Sequence, residues 1–196
     1  SEYDMFDLPD IDQIADVMAE AGKLAMDAGQ RLSFHPGPFN VLASPNNNVV
    51  IKTIKELNDH SMQMDLMGLP VSPMAKINIH VGGAYGEHDK SLARFCKNFK
   101  RLDPNTQARL TVENDDKANL YSTKMLVEGV SNRVGVPVVF DSHHHELGPQ
   151  DLDYHDAFYL ARKTWQSRGA KQQCHHSNSR KHYEDPAVSA VAHSDW

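Results

Sequence analysis

Short apolar runs in this chain stop on side chains that bind metal cations. His35 closes the run Arg31 to His35 (RLSFH), His80 closes Lys76 to His80 (KINIH), and Glu113 closes Ala108 to Glu113 (ARLTVE). Asp141 closes Val136 to Asp141, with His144 three residues on, and His175 closes Lys171 to His175 (KQQCH). A carboxylate or an imidazole at the mouth of a buried strand is costly to keep there unless a cation binds it. One histidine so placed is ordinarily a hydrogen-bonded structural residue; five consecutive runs ending alike point to a shared centre. Mixed histidine and carboxylate donors suit zinc, manganese or iron better than calcium, and more than four of them imply more than one ion. The plainer alternative is a polar rim that caps a barrel mouth. His193, followed by Ser194 and Asp195, adds one more donor near the C-terminus.

The elements that must position these groups alternate. Ile11, Ile14, Val17, Met18, Ala21, Leu24 and Ala25 recur at helical spacing, with Asp10 or Asp12 as cap and Gly29 as stop. Val49 to Gly68 is a second helical stretch, with Ile51, Ile54, Leu57, Met64 and Met67 available to bury. Helices are also expected over Ser91 to Arg101, Ser122 to Val130 and Asp153 to Arg168. A strand-loop-helix unit returning every ~30 to 45 residues, with right-handed crossovers, makes a parallel sheet. In a parallel barrel the carboxyl ends of all strands converge on one face, where active sites lie.

Composition limits the remaining classes. The chain has 196 residues, 40% hydrophobic and 23% charged, which fits one sizeable core and a single domain over 1–196. No apolar run approaches the ~20 residues of a membrane span, and no signal peptide is visible, so a cytoplasmic monomer is expected. Two cysteines build no disulfide framework; Cys174, beside His175, is expected to be a buried thiol. A net charge of -6 argues against nucleic acid, unless divalent ions offset the carboxylates of the site. The twelve histidines are the compositional outlier. Of these, His60 reads as structural, while His88, His155 and His182 read as solvated. If strand alternation continues past Asp141, His143 and His145 point away from the centre and support the ligands by hydrogen bonds.

Four phrases resemble the UV damage endonuclease family: Arg31-Leu-Ser-Phe-His-Pro36, Ile79-His-Val-Gly-Gly-Ala-Tyr-Gly86, Leu110-Thr-Val-Glu-Asn-Asp-Asp116 and Val138-Val-Phe-Asp-Ser-His-His-His145. The resemblance covers nearly the whole chain. It implies an α/β TIM barrel similar to endonuclease IV, here an incomplete barrel of about five to six βα units, because strands expected before Ser1 and after Trp196 are absent. It also implies hydrolysis of double-stranded damaged DNA immediately 5′ of UV photoproducts and abasic sites. The implied metal ligands are His35, His80, Glu113, Asp141, His144, His175 and His193, with Glu113 and Asp141 as bridging carboxylates and Glu113, Asp141 and His175 as the catalytic set. Two to three divalent ions are expected, manganese first, with zinc or magnesium as alternatives.

The family pushes a glutamine and a tyrosine into the duplex at the lesion. Here that pair is Pro38 and Phe39, so an aromatic wedge remains and the glutamine's hydrogen bonds do not. A lysine usual in the family two residues before the ligand matching His175 is Gln173 here. Tyr85 and Arg180 are further candidate DNA contacts. Two other readings share these residues: a sugar isomerase similar to xylose isomerase, which lacks the GGAYG and ENDD phrases, and a non-catalytic remnant that binds metal or DNA.

Overall fold

A computed structural model describes residues 7–149 and 151–194. Its centre is a parallel sheet in the order β1 (Ile77–Ile79), β2 (Leu110–Glu113), β3 (Val138–Asp141), β4 (Cys174–His175). The sheet curls into a half-barrel, as expected of an incomplete TIM barrel. The register steps along the strands, with Ile77 opposite Leu110, Val112 opposite Val138 and Phe140 opposite Cys174. Helices pack outside it: α1 (Ile11–Asp27), α2 (Asn47–Leu66), α3 (His88–Phe99), α4 (Pro104–Arg109), α5 (Thr123–Leu126), α6 (Asn132–Val134), α7 (Ser142–Leu147), α8 (Tyr154–Gln166) and α9 (Arg180–Tyr183). A π-helical turn, Val127–Ser131, joins α5 to α6, and Gly135 ends that run in the left-handed conformation at φ 72°. No helix among the described residues is long and apolar enough to cross a membrane.

Strand alternation sorts the side chains. Ile77, Ile79 and Val81 join Leu110, Val112, Val138 and Phe140 in the core beneath the helices, with Leu57, Met64, Leu92 and Phe95 packed on them. The intervening residues Lys76, Asn78, His80, Thr111, Glu113 and Asp141 turn to the concave side. Thr111 donates to the Asn78 side-chain oxygen at 2.8 Å, so the two strands are tied there by side chains as well as by backbone.

Several expectations change. Arg31 to His35 is extended but makes a single bridge, Phe34 to Ile77, so it is a strand in position and not in length. Phe34 N donates to Lys76 O and Asn78 N donates to Phe34 O, which is enough to set His35 beside the sheet. In α2, Ile51 is 49% exposed, and Val50 and Thr53 face inward in its place. Asp10 stands at the start of α1 without a side-chain capping bond. Cys174 is exposed, because alternation in β4 gives the concave side to His175. The strand does not continue past Asp141: Asp141 accepts a hydrogen bond from His144 N at 2.9 Å and starts α7.

Candidate metal centre

His35, His80, Glu113, Asp141 and His175, at or beside strand ends, share one cleft of about 880 Å³ with His144 of α7 and His193 near the C-terminus, and Pro38 is on its wall. Glu113 is the hub. Its Oε2 lies 3.0 Å from His175 Nδ1 and 3.3 Å from His35 Nε2, and its Oε1 lies 3.3 Å from His144 Nδ1. Asn78, from the neighbouring strand, donates to Oε2 as well. Two groups of three donors share this carboxylate: His35, Glu113 and His175, and His80, Glu113 and His144, each with ligand atoms within 4.8 Å of one another.

Electrostatics favours a cation here. Glu113, Asp115 and Asp141 are all buried, and among the described residues Lys76 is a buried ammonium close enough to act on Glu113. Carboxylates held out of water need counter-charge close by. Burial alone would raise the Glu113 carboxyl; hydrogen bonds from His175 and His35 outweigh it and hold the group far below the ordinary carboxylate range. Burial pushes His80 down, but the Asp115 carboxylate, 3.1 Å from His80 Nδ1, more than offsets this and its pKa is raised. The contact is close without being a well-aligned hydrogen bond, so His80 Nδ1 is a buried polar atom short of a partner. Burial lowers the Lys76 ammonium to about 8, Glu113 acting against that and Arg31 with it.

The ring orientations are set from behind. His144 Nδ1 donates to the Asn114 carbonyl at 2.9 Å, which leaves Nε2 with its lone pair for a cation. Asn114 also clamps β3, accepting from Asp141 N at 2.8 Å and donating to Asp141 O at 3.0 Å. His175 Nε2 faces Lys76 Nζ at 3.2 Å. Asp141 spends Oδ1 on the start of α7, and its Oδ2 is 3.9 Å from His175 Nδ1. His193 lies against His144, ring centres 5.5 Å apart, with Nδ1 on the Ser177 hydroxyl at 2.7 Å. Asp195, its neighbour in the sequence reading, lies outside the described residues.

The supporting role expected of His143 and His145 is not what the structure shows. Because α7 starts at Ser142, their directions follow helical spacing. His143 is buried with neither ring nitrogen hydrogen-bonded among the described residues, edge-on to His193 at 5.1 Å. His145 packs against Phe140 and Tyr154. His60 is structural as expected, with Nδ1 on the Glu56 carbonyl at 2.7 Å and its ring on Phe34.

The proposed DNA contacts stand outside this cluster. Phe39 is 87% exposed on the loop between Pro38 and Asn40, both of which line the cleft. Tyr85 is half-exposed at φ 50°, with the Arg94 guanidinium over its ring at 5.5 Å. Arg180, at the start of α9, pairs with Glu184 just past its end at 3.3 Å. Three residues of the site went unnoticed in the sequence: Lys76, Asn78 and Asp115. The first two were signalled, since polar residues occupy every second position of Lys76-Ile-Asn-Ile-His80.

Known proteins share this arrangement of chain. The UV-endonuclease UvdE family model matches residues 5–194. The UV DNA damage endonuclease of Bacillus velezensis is 37% identical over 179 residues, covering 90% of this chain and 52% of its own length. The UV-damage endonuclease of Schizosaccharomyces pombe is 35% identical over 189 residues, 91% of this chain and 30% of that protein. The chain thus spans about half the length, or less, of these relatives. The crystal structure of SacUVDE superposes with a TM-score of 0.82 at 33% identity, covering 93% of this chain and 58% of that one. A D-psicose 3-epimerase from Clostridium cellulolyticum H10, at TM-score 0.63 and 12% identity over 85% of this chain and 59% of its own, shares the fold. Matched along nearly its whole length, the chain belongs to the UV-endonuclease UvdE family.

Proposed function

We propose that this chain carries the metal-binding core of a DNA repair endonuclease, which hydrolyses the phosphodiester bond immediately 5′ of UV photoproducts and abasic sites in duplex DNA. The observation that carries the metal reading is Glu113, one buried carboxylate shared by two donor trios. The donor set fits two to three divalent ions, with manganese the first choice, and Asp141 and His193 add donors beside the trios. Such ions, when bound, neutralise phosphoryl oxygens, lower the pKa of water and stabilise a leaving alkoxide.

The chain's own residues do the rest. His35, His80, His144 and His175 offer ring nitrogens, and Asn78 and Asn114 hold Glu113 and His144 in place. Phe39, exposed beside the cleft, is the wedge that enters the base stack where a lesion has already weakened it. Pro38 stiffens the loop that carries it. The reading is tested by incubating manganese and UV-irradiated duplex DNA with this chain, and with a version extended at both ends by the matching segments of the Bacillus velezensis relative. Incision directly 5′ of the photoproduct is expected. If the extended protein cuts nowhere, or cuts undamaged duplex equally well, the assignment fails.

A further inference from the structure

Phe39 stands out into solvent, yet the loop beneath it is tied down on three sides. From α2, Thr53 Oγ1 accepts from Val41 N at 3.1 Å, and Glu56 accepts from the Asn40 side-chain amide at 2.8 Å. From α3, the Asn98 amide donates to the Leu42 carbonyl and Arg94 Nε donates to the Ala43 carbonyl, both at 2.8 Å. On the third side is the loop of Gly82 to Gly86. Gly82, at φ 96°, packs so closely on Val41 that a Cβ there would run into its side chain.

Arg94 serves that second loop as well. Its Nη2 donates to Ser91 Oγ at 2.8 Å, and Ser91 passes its one hydroxyl hydrogen to the Ala84 carbonyl at 2.7 Å. The guanidinium also lies over the Tyr85 ring, 5.5 Å from its centre. Tyr85 is at φ 50°, a conformation that a bulky residue keeps only where its surroundings impose it. Ser91, Arg94 and Asn98 recur three and four residues apart, so they form one polar stripe along α3. Asn98 holds one loop, Ser91 holds the other, and Arg94 holds both.

We propose that Arg94 is a positioning residue that locks the loop of Phe39 and the loop of Tyr85 into one rigid unit for insertion into damaged duplex. This rests on the reading of Phe39 as the wedge and adds what keeps the wedge aimed. An exposed aromatic on a loose loop must be ordered each time it binds, whereas one on a braced loop reaches the weakened base step already oriented.

The test begins without DNA or metal. In Arg94→Met, hydrogen exchange followed by nuclear magnetic resonance should speed by about tenfold or more in both loops, at Val41 and Ser44 in one and at Glu87 beside the other, with β2 and β3 unchanged. Ser91→Ala should speed Glu87 alone. Incision is measured with the chain extended by the Bacillus velezensis segments. Arg94→Met should lower kcat at photoproducts by about tenfold with manganese affinity retained, and by less than about twofold in a Phe39→Ala background, where the brace has no wedge left to aim. If the methionine variant does not fold, Arg94→Lys gives the reading. One ammonium lacks the guanidinium fork that reaches Ala43 and Ser91 together, so the same two loops should loosen to a smaller extent.

The proposal is overturned if the variant loosens one loop and not the other, or if its loss of incision is as large without Phe39. It is also overturned if affinity for damaged and undamaged duplex falls equally and the salt dependence drops, the mark of a phosphate contact. If Phe39→Ala incises as the parent does, the wedge reading fails and takes the role of Arg94 in incision with it. Exchange, measured without DNA, keeps that failure apart from a failure of the brace itself.

Discussion

Arg109 and Glu113 stand at opposite ends of one strand, both buried and both charged, and the protein serves them in opposite ways. Arg109, just before β2, donates to the carbonyls of Pro70, Ser61 and Leu69, to the Ser61 hydroxyl and to Asp65 at 2.6 Å. Arg31, at the same end of the sheet, donates to the carbonyls of Met74, Pro73 and Lys171. Every guanidinium nitrogen there meets an oxygen of the protein itself. At the carboxyl end, Glu113 gathers imidazoles that other atoms only partly satisfy, and buried ring nitrogens of His80 and His143 have no hydrogen-bond partner among the described residues. A saturated polar network adds stability, whereas an unsaturated one is a demand for a ligand. The division agrees with the barrel rule that the amino end serves stability and the carboxyl end serves chemistry.

That contrast can be broken from either end. The largest effect is expected from Glu113→Gln, which should abolish manganese binding at both trios, seen by calorimetry, while circular dichroism stays that of the parent. Arg109→Met should do the reverse, costing about 1–3 kcal/mol in urea unfolding because it leaves buried carbonyls of Ser61 and Leu69 unpaired, while Asp65, partly exposed, keeps Asn105; manganese affinity should be retained by the folded fraction. Should either variant produce the other's phenotype, the two ends are not separate in function. Asp115→Asn should weaken manganese binding by about 10–100-fold, since the carboxylate behind His80 is replaced by a neutral amide.

The same pair gives a pH effect in metal-free protein. The His80 pKa is raised in the folded chain, so its contribution to stability is fully present below the ordinary value of 6.5 and is lost as pH rises through the folded value. Urea midpoints measured in chelator should therefore fall as pH rises past 6.5, and Asp115→Asn should flatten that slope. The smallest effect on the fold is expected from Phe39→Ala, within about 0.5 kcal/mol, as for other exposed sites. Its loss should appear in the incision of photoproduct-containing duplex and leave manganese affinity unchanged.

The convergence of these histidines and carboxylates was legible in the sequence because strand ends in a parallel barrel share one face, whatever the detailed packing. His35 shows how far this holds: its position follows from the Phe34 bridge even though the strand it was expected to close is barely formed. Local reading failed where a side chain had two possible employers. Asp141 could end a strand as a ligand or start a helix as a cap, and capping turned His143 and His145 out of strand alternation. Lys76 was signalled by its alternation with Asn78 and His80, but its partner was not. A lysine before a short strand reads as a solvated end, and only the pairing of β1 with its neighbours places it under His175.

The Arg31 guanidinium bonds to the Lys171 carbonyl across 140 residues of sequence. His35 follows Arg31 by four positions, and His175 follows Lys171 by four. Closing so long a loop is entropically late in folding, after the local helix-strand pairs have formed. The cluster that unites His35 with His175 is thus completed by contacts 140 residues apart in sequence. Order in that part of the cleft therefore reports on the docking of β4: until it pairs with β3, His35 and His175 belong to separate pieces of the sheet.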